Sequence, residues 1–518
     1  MHTEKKLFVS EDNAIAEKPT SLARPAFFIL TARSISYAFS FLLPLLLVRW
    51  LSQEEFGLYK QVFLVVGTAM VVLPLGFGMS AFYFLPRERE RKGQVVLNII
   101  LFNITVGGLA CAALILKPAI LGRVFHSNQL TNYATLIGIV ILFWTVSSFF
   151  ETVAVAHQEA GIATTFIVAA QISKTTLLIA AAFFFDSLVY LIWAAIIQGI
   201  LQTIALLAYL HSRFRGFWRS FNGSMLMTQL SYALPLGFAG MLFSLQNDLH
   251  NYFVANSFGA STFAIYAIGC FQLPLIGILN ESVGSVMIPR VSGLQQEDNR
   301  REIVLITARV MRKLAAIYFP IYVFLLLGAR EFITVLFTPA YLKSWPIFLV
   351  NLSLVPINIL ITDPIMRAYA EQRYFLLRVK IAIFAMLFVI LWFGIRQLSL
   401  VGVIAVVVGA NILERVIAAV RAARVLRIGW SDASLFADLP KLAAASIASA
   451  AVTGIMYVLL QGAKPLLILC VCGVVFSLCY GAAVFLLRIP SVEELAYAKH
   501  IIARLWRGPW KRAPEVLT

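Results

Sequence analysis

The chain contains fourteen stretches of predominantly apolar residues, each about 20 residues or longer, separated by short polar connectors. Hydrocarbon holds no water to satisfy a peptide N–H or C=O, so runs of this kind must close their backbone hydrogen bonds internally and are read as helices. They cover approximately 27–51, 61–85, 95–116, 134–156, 163–185, 187–210, 228–256, 261–289, 304–327, 344–366, 375–395, 399–420, 442–461 and 465–487. At about 1.5 Å per residue, each is long enough to cross a core of about 30 Å. The reading is an all-α polytopic membrane protein. Composition agrees, since 60% hydrophobic and 13% charged residues lie outside the range of soluble globular chains. The formal net charge of +17 does not point to nucleic acid, because the basic residues sit in connectors between apolar runs and therefore report orientation.

The connector Ser52-Gln53-Glu54-Glu55-Phe56-Gly57-Leu58-Tyr59 has an echo at Ser257-Phe258-Gly259-Ala260-Ser261-Thr262-Phe263-Ala264-Ile265-Tyr266. Further echoes follow in the same order. Val124-Phe125 is matched by Leu336-Phe337, and Ala156-His157-Gln158-Glu159 by Ala368-Tyr369-Ala370-Glu371. A collinear series at nearly constant offset indicates an internal duplication, the mark of a transporter built from two related halves. Each repeat holds six helices, an even number, so the repeats are parallel and related by an axis along the membrane normal. The expected organisation is a segment 1–26, an N-lobe 27–216, a C-lobe 217–427, two extra helices in 428–487 and a basic tail 488–518. That tail carries Lys499, Arg504, Arg507, Lys511 and Arg512 with Trp506 and Trp510, as an interfacial segment on anionic lipid would.

With the N-terminus inside, the connectors bearing Arg87, Arg89, Arg91 and Lys92, Arg213, Arg215 and Arg219, Arg300 and Arg301, Arg373, Arg378 and Lys380, and Arg421, Arg424 and Arg427 all fall on the cytoplasmic side. The other side is nearly bare. This bias predicts both termini in the cytoplasm. The five cysteines lie inside apolar runs without the spacing of a zinc site, and there is no phosphate-binding loop, so no cofactor is expected.

At the Ser52-to-Tyr59 connector, its echo at 257–266 and the run Val335-Leu336-Phe337-Thr338-Pro339-Ala340-Tyr341-Leu342, the chain resembles the polysaccharide-transporter branch of the multidrug/oligosaccharidyl-lipid/polysaccharide exporter superfamily. The resemblance extends over nearly the whole chain. It implies 12 or 14 helices in two lobes, residence in the bacterial cytoplasmic membrane, and flipping of undecaprenyl-pyrophosphate-linked oligosaccharide. The implied partners are that prenyl-pyrophosphate-linked glycan, membrane lipids, an H+ or Na+ gradient, and polysaccharide polymerase or export machinery. Two other readings stand beside it. A small-molecule antiporter shares the fold, whereas a multipass glycosyltransferase or polymerase would ordinarily carry a large external catalytic loop, which these short connectors do not provide.

An ionisable side chain in the hydrocarbon costs at least about 2.5–3.5 kcal/mol, so each one calls for a partner, a wet cavity or a function. Arg33 lies about 9 Å into the first run and Lys174 about 16 Å into the fifth, within reach of a central cavity. They are the candidate substrate-binding residues, Arg33 as a planar fork for two phosphate oxygens and Lys174 as a mobile point charge. The rival expectation is that either base pairs with Glu151. Asp248 and Glu281, in the seventh and eighth runs, are the candidate ion-coupling acids. Arg49, beside Trp50, reads as an interfacial anchor. Pro44, Pro74, Pro235, Pro274, Pro320 and Pro356 interrupt the runs as candidate kinks.

Overall fold

The structure, a computed structural model, describes residues 23–88 and 90–489. The expected basic tail and most of the segment 1–26 lie outside the described residues. Among those residues there is no strand, and twelve helices are long and apolar enough to cross a membrane, or fourteen when each of two bent pairs counts as one span.

We number these spans 1 to 14: Ala23–Trp50, Gln53–Val72, Lys92–Leu116, Ala134–Ala156, Ala160–Phe185, Leu188–Arg213, Gly223–Ser257, Ala260–Gly269 with Pro274–Gln296, Arg300–Phe337, Pro339–Ile357, Tyr374–Gly394, Leu400–Leu426, Trp430–Leu459 and Pro465–Leu486. Each corresponds to one of the apolar runs. The end where spans 1 and 2 join is called distal, and the end where spans 2 and 3 join is called proximal.

The candidate breakers act unequally. Span 2 stops at Val72 just before Pro74, and after Leu75 and Gly76, both at positive φ, the chain resumes as Phe77–Met79 and Ser80–Arg87. Span 7 bends by 42° at Pro235, and span 8 by 53° before Pro274. Pro44 sits inside a continuous helix. In span 9 the non-helical residue is Gly328 rather than Pro320. A proline removes one backbone donor, but whether the helix breaks there depends on what packs against it.

Spans 1–6 pack among themselves, span 1 along span 5 and span 4 against spans 3 and 6. Spans 7–12 form the second group, while spans 13 and 14 lie together against span 9. The groups meet where span 2 packs on spans 7 and 8 and span 1 on span 8. Outward faces are apolar, with Leu116, Phe184, Phe393, Leu459 and Leu486 each more than two-thirds exposed, as a lipid-facing surface requires.

The duplicated connectors meet each other at the distal end. Ser52 caps span 2 through the Glu55 N–H (3.1 Å). Phe56 and Tyr59, like their counterparts Phe263 and Tyr266, are buried. Gly57 lies so close to span 8 that a Cβ there would stand 1.9 Å from the Ala260 carbonyl oxygen. Only glycine fits that approach. Gln53 donates to Ala340 O (2.6 Å) and accepts from Ser261 Oγ (3.1 Å), and Phe56 packs edge-on against Tyr341.

Candidate functional site

Four spans of the first group line an open cavity of about 480 Å³ at mid-height, with Met70 of span 2 adding to the wall. Its size lies in the range of small-ligand pockets. Span 1 contributes Arg33, Ser36, Tyr37 and Ser40, and span 4 contributes Trp144, Ser147, Ser148 and Glu151. Span 5 adds Gln171 and Lys174, and span 6 adds Gln198 and Gln202. On one helix, i and i+4 share a face, which is why Gln198 and Gln202 both line the cavity. For a chain this apolar, the wall is unusually rich in hydroxyl and amide groups.

Arg33 and Lys174, the expected substrate-binding residues, line this one cavity. Their surroundings differ. Arg33 donates from Nη1 to Glu281 Oε1 (2.5 Å) and from Nη2 to Glu151 Oε1 (2.9 Å), and Tyr37 donates from Oη to Glu281 Oε2 (3.2 Å). Glu281 belongs to span 8, so this cluster ties the cavity rim of one lobe to the other. The expected pairing of Arg33 with Glu151 is therefore present, and Glu281 joins it. Lys174 makes no ion pair among the described residues, and its ammonium lies over the Trp144 ring, 4.6 Å from the centroid. A cation over an indole face is held while its remaining N–H donors stay available.

The two candidate coupling acids are not brought together. Glu281 is charge-paired at the rim, whereas Asp248 is half-buried in the distal half of span 7 near Asn251. A second charged cluster lies inside the C-lobe, where Lys380 and Gln246 both donate to Glu414 (2.6 Å each). Arg49, expected as an interfacial anchor, is exposed at the distal end of span 1 and also ties that end to span 9. Its guanidinium donates to Leu336 O (3.0 Å) and Val335 O (2.9 Å), carbonyls at the end of span 9 that have no partner further along their own helix.

Sequence reasoning missed the neutral wall of Ser36, Ser40, Ser147, Ser148, Gln171, Gln198 and Gln202. The signal that could have found it was the recurrence of uncharged polar residues inside apolar runs, above all the paired glutamines of span 6.

A profile described as "Polysaccharide biosynthesis protein" matches residues 46–346, more than half of the chain. The chain belongs to the polysaccharide biosynthesis protein family. Among solved structures it is similar to the lipid II flippase MurJ in an inward closed conformation, with TM-score 0.68 and 12% identity over 89% of this chain and 99% of that one. It is also similar to an inward-facing multidrug resistance MATE transporter of the MOP superfamily, with TM-score 0.56 and 13% identity over 78% and 98% of the two chains. A MOP superfamily transporter from Pyrococcus furiosus matches with TM-score 0.54 and 14% identity over 78% and 96%. At these identities the likeness establishes the fold, which is that of the MOP exporters. No curated protein sequence matches the chain.

Proposed function

We propose that this protein is a flippase carrying undecaprenyl-pyrophosphate-linked oligosaccharide across the bacterial cytoplasmic membrane by alternating access, as a step in cell-surface polysaccharide assembly. In this reading both termini are cytoplasmic, the proximal end faces the cytoplasm, and the protein is a transporter rather than an enzyme. Arg33 and Lys174 hold the pyrophosphate, and Asp248 and Glu281 couple the cycle to an H+ or Na+ gradient. Polysaccharide polymerase or export machinery is the partner downstream.

The observation that carries the reading is the pair of cations on one hydroxyl- and amide-lined cavity at mid-height. A pyrophosphate and its sugars cannot cross hydrocarbon, since the idealised transfer cost for even one carboxylate-sized ion is of order 20 kcal/mol. The prenyl tail can stay in lipid while the head group travels through a wet site. An anionic head group competes with Glu151 and Glu281 for the Arg33 fork, and taking Arg33 from Glu281 leaves the Tyr37 hydroxyl as the rim contact to that carboxylate. Binding and the rim contact between the lobes are then linked through a single side chain. A small-molecule antiporter of the same fold is the second reading, and the positive charge of Lys174, held without a carboxylate partner, favours an anionic cargo over a cationic drug.

Complementation of polysaccharide assembly tests the assignment. Arg33→Ala and Lys174→Ala should each abolish complementation at normal expression, and Arg33→Lys should be poorly tolerated because it loses the two-oxygen grip. If Arg33 only neutralises its acids, the triple variant Arg33→Ala, Glu151→Gln, Glu281→Gln regains activity and the head-group role is lost.

A further inference from the structure

Two exposed tryptophans stand at corresponding places in the two repeats. Trp218 lies on the short 3₁₀ turn Phe217–Arg219 after span 6, and Trp430 on the 3₁₀ helix Trp430–Phe436 that opens span 13, both at the proximal end. They are 212 residues apart, the offset that also separates Val124 from Leu336 and Ala156 from Ala368. The match extends to their neighbours, Phe214-Arg215-Gly216-Phe217-Trp218 in one repeat and Leu426-Arg427-Ile428-Gly429-Trp430 in the other. Phe214 and Leu426 are buried in the cores of their own lobes, Arg215 and Arg427 are exposed, and Trp218 and Trp430 are 52% and 98% exposed. Arg427 also holds the left-handed cap of span 12 (φ 55°), a position that favours glycine, so its side chain is kept at a conformational cost. Neither arginine has an ion-pair partner among the described residues. The acids beside them are taken, Glu159 by Arg213 (2.9 Å) and Asp432 by Arg301.

An indole standing clear of the protein is poorly placed in water, whereas the headgroup layer of a membrane accommodates its ring and its N–H together. Spans 6 and 12 have 26 and 27 residues, more than a hydrocarbon core of about 30 Å requires, so their proximal ends reach headgroup level. A lipid phosphate supplies the partner that each guanidinium lacks, and an arginine fork grips two of its oxygens. Arg219 and Arg424, exposed and likewise without an ion pair, add a second positive charge to each place, which favours a lipid of net negative charge over a zwitterionic one. We propose that the two connectors are a matched pair of binding sites for anionic phospholipid of the proximal leaflet, one on each lobe. Because Phe214 and Leu426 root them in separate cores, each lobe is held at headgroup depth by its own site while the lobes move against each other. Neither site borders the N-lobe cavity, so the proposal is independent of what the cavity carries.

The test is photocrosslinking of the full-length protein in nanodiscs that mix phosphatidylglycerol with an excess of phosphatidylethanolamine, with p-benzoylphenylalanine in place of Trp218 or of Trp430. Both tryptophans are exposed, so the replacement disturbs no packing. Peptide masses after irradiation identify the lipid attached. At each position phosphatidylglycerol should exceed its share of the bilayer by about fivefold or more. Arg215→Gln with Arg219→Gln should bring the adducts at position 218 down to the bilayer ratio and leave those at 430 enriched, and Arg424→Gln with Arg427→Gln should do the converse. Adducts in the bilayer ratio for the unsubstituted arginines, enrichment that survives loss of the arginines, or no lipid adduct at all overturns the proposal. Irradiation in intact cells tests the rival occupant, since attachment to a protein in place of lipid would make these connectors a protein-docking face and overturn it as well.

Discussion

The two ends of the molecule hold its lobes together by different physics. Through the distal half, one apolar core runs continuously from Leu47, Phe56 and Val62 of the first lobe to Tyr266, Phe337 and Phe348 of the second. Through the proximal half there are two separate cores. Phe77, Val95, Phe149 and Leu210 lie in one, while Met287, Val291, Ile303 and Met366 lie in the other. The first of these cores also takes in Met225 and Ala233 of span 7, and Gln229 of that span donates to Ser80 and Val95 O, so span 7 is bound to the first lobe here, while span 8 meets it at the cavity rim through the charge cluster of Arg33 and Glu281, whose side chains are 46% and 27% exposed. Close-packed apolar surface with backbone approaching backbone is stable but all-or-none, whereas a half-solvated ion pair exchanges partners at little cost. The distal end is thus closed by one shared apolar core, whereas on the proximal side span 8 meets the first lobe at the rim through half-solvated charge.

Breaking the seal should have the largest effect. Gly57→Leu places side-chain atoms where the Ala260 backbone lies, and the backbone cannot step aside as a flexible side chain would. Overpacking of this kind costs about 1–3 kcal/mol, and here the upper part of that range is expected. A cysteine at Gln61, 1% exposed behind the seal, should then react with a membrane-impermeant thiol reagent at least tenfold faster than in the parent. Unchanged reactivity would mean that the Gly57 contact does not hold the distal end shut.

Arg49→Ala removes two hydrogen bonds to the end of span 9, and with its guanidinium partly solvated the expected loss is about 1–2 kcal/mol. The same Gln61→Cys reporter should show an intermediate acceleration. If Arg49→Ala leaves it slow while Gly57→Leu speeds it, apolar packing alone makes the seal.

Glu281→Gln should have the smallest effect on conformation, since an exposed ion pair contributes about 0–1 kcal/mol and Glu151 still neutralises Arg33. Its consequence should appear in gradient-driven transport instead, together with that of Asp248→Asn. Normal transport by both variants would end the coupling assignment. The labels themselves can be checked, because a cysteine at Gly259 should react from outside the cell and one at Arg215 should not.

The sequence exposed the spans because the requirement that produces them is local: about 20 apolar residues must be adjacent in the chain to cross hydrocarbon. The duplicated connectors were visible for a related reason, since Phe56 and Tyr59 fill the same buried positions as Phe263 and Tyr266. What stayed hidden was pairing at a distance. Arg33 and Glu281 are 248 residues apart, and nothing in either run marks the other as its partner. The bonds from Arg49 to span 9 were hidden for the same reason, since the carbonyls it caps have no sequence signature at all. Gln198 and Gln202 were legible in principle by their i, i+4 spacing, but the cavity they face is built from spans whose order in space the sequence does not state.

The most direct measurement joins the seal to transport. In proteoliposomes that move a prenyl-pyrophosphate-linked glycan from one leaflet to the other, Gln53→Cys and Ser261→Cys, neighbours across the lobes at the distal end, are linked with a short thiol-reactive crosslinker. Alternating access predicts that translocation stops in proportion to the crosslinked fraction, while single-cysteine proteins treated in the same way keep working. Undiminished translocation with the crosslink fully formed would contradict the account, because the glycan would then be crossing without the distal end ever opening.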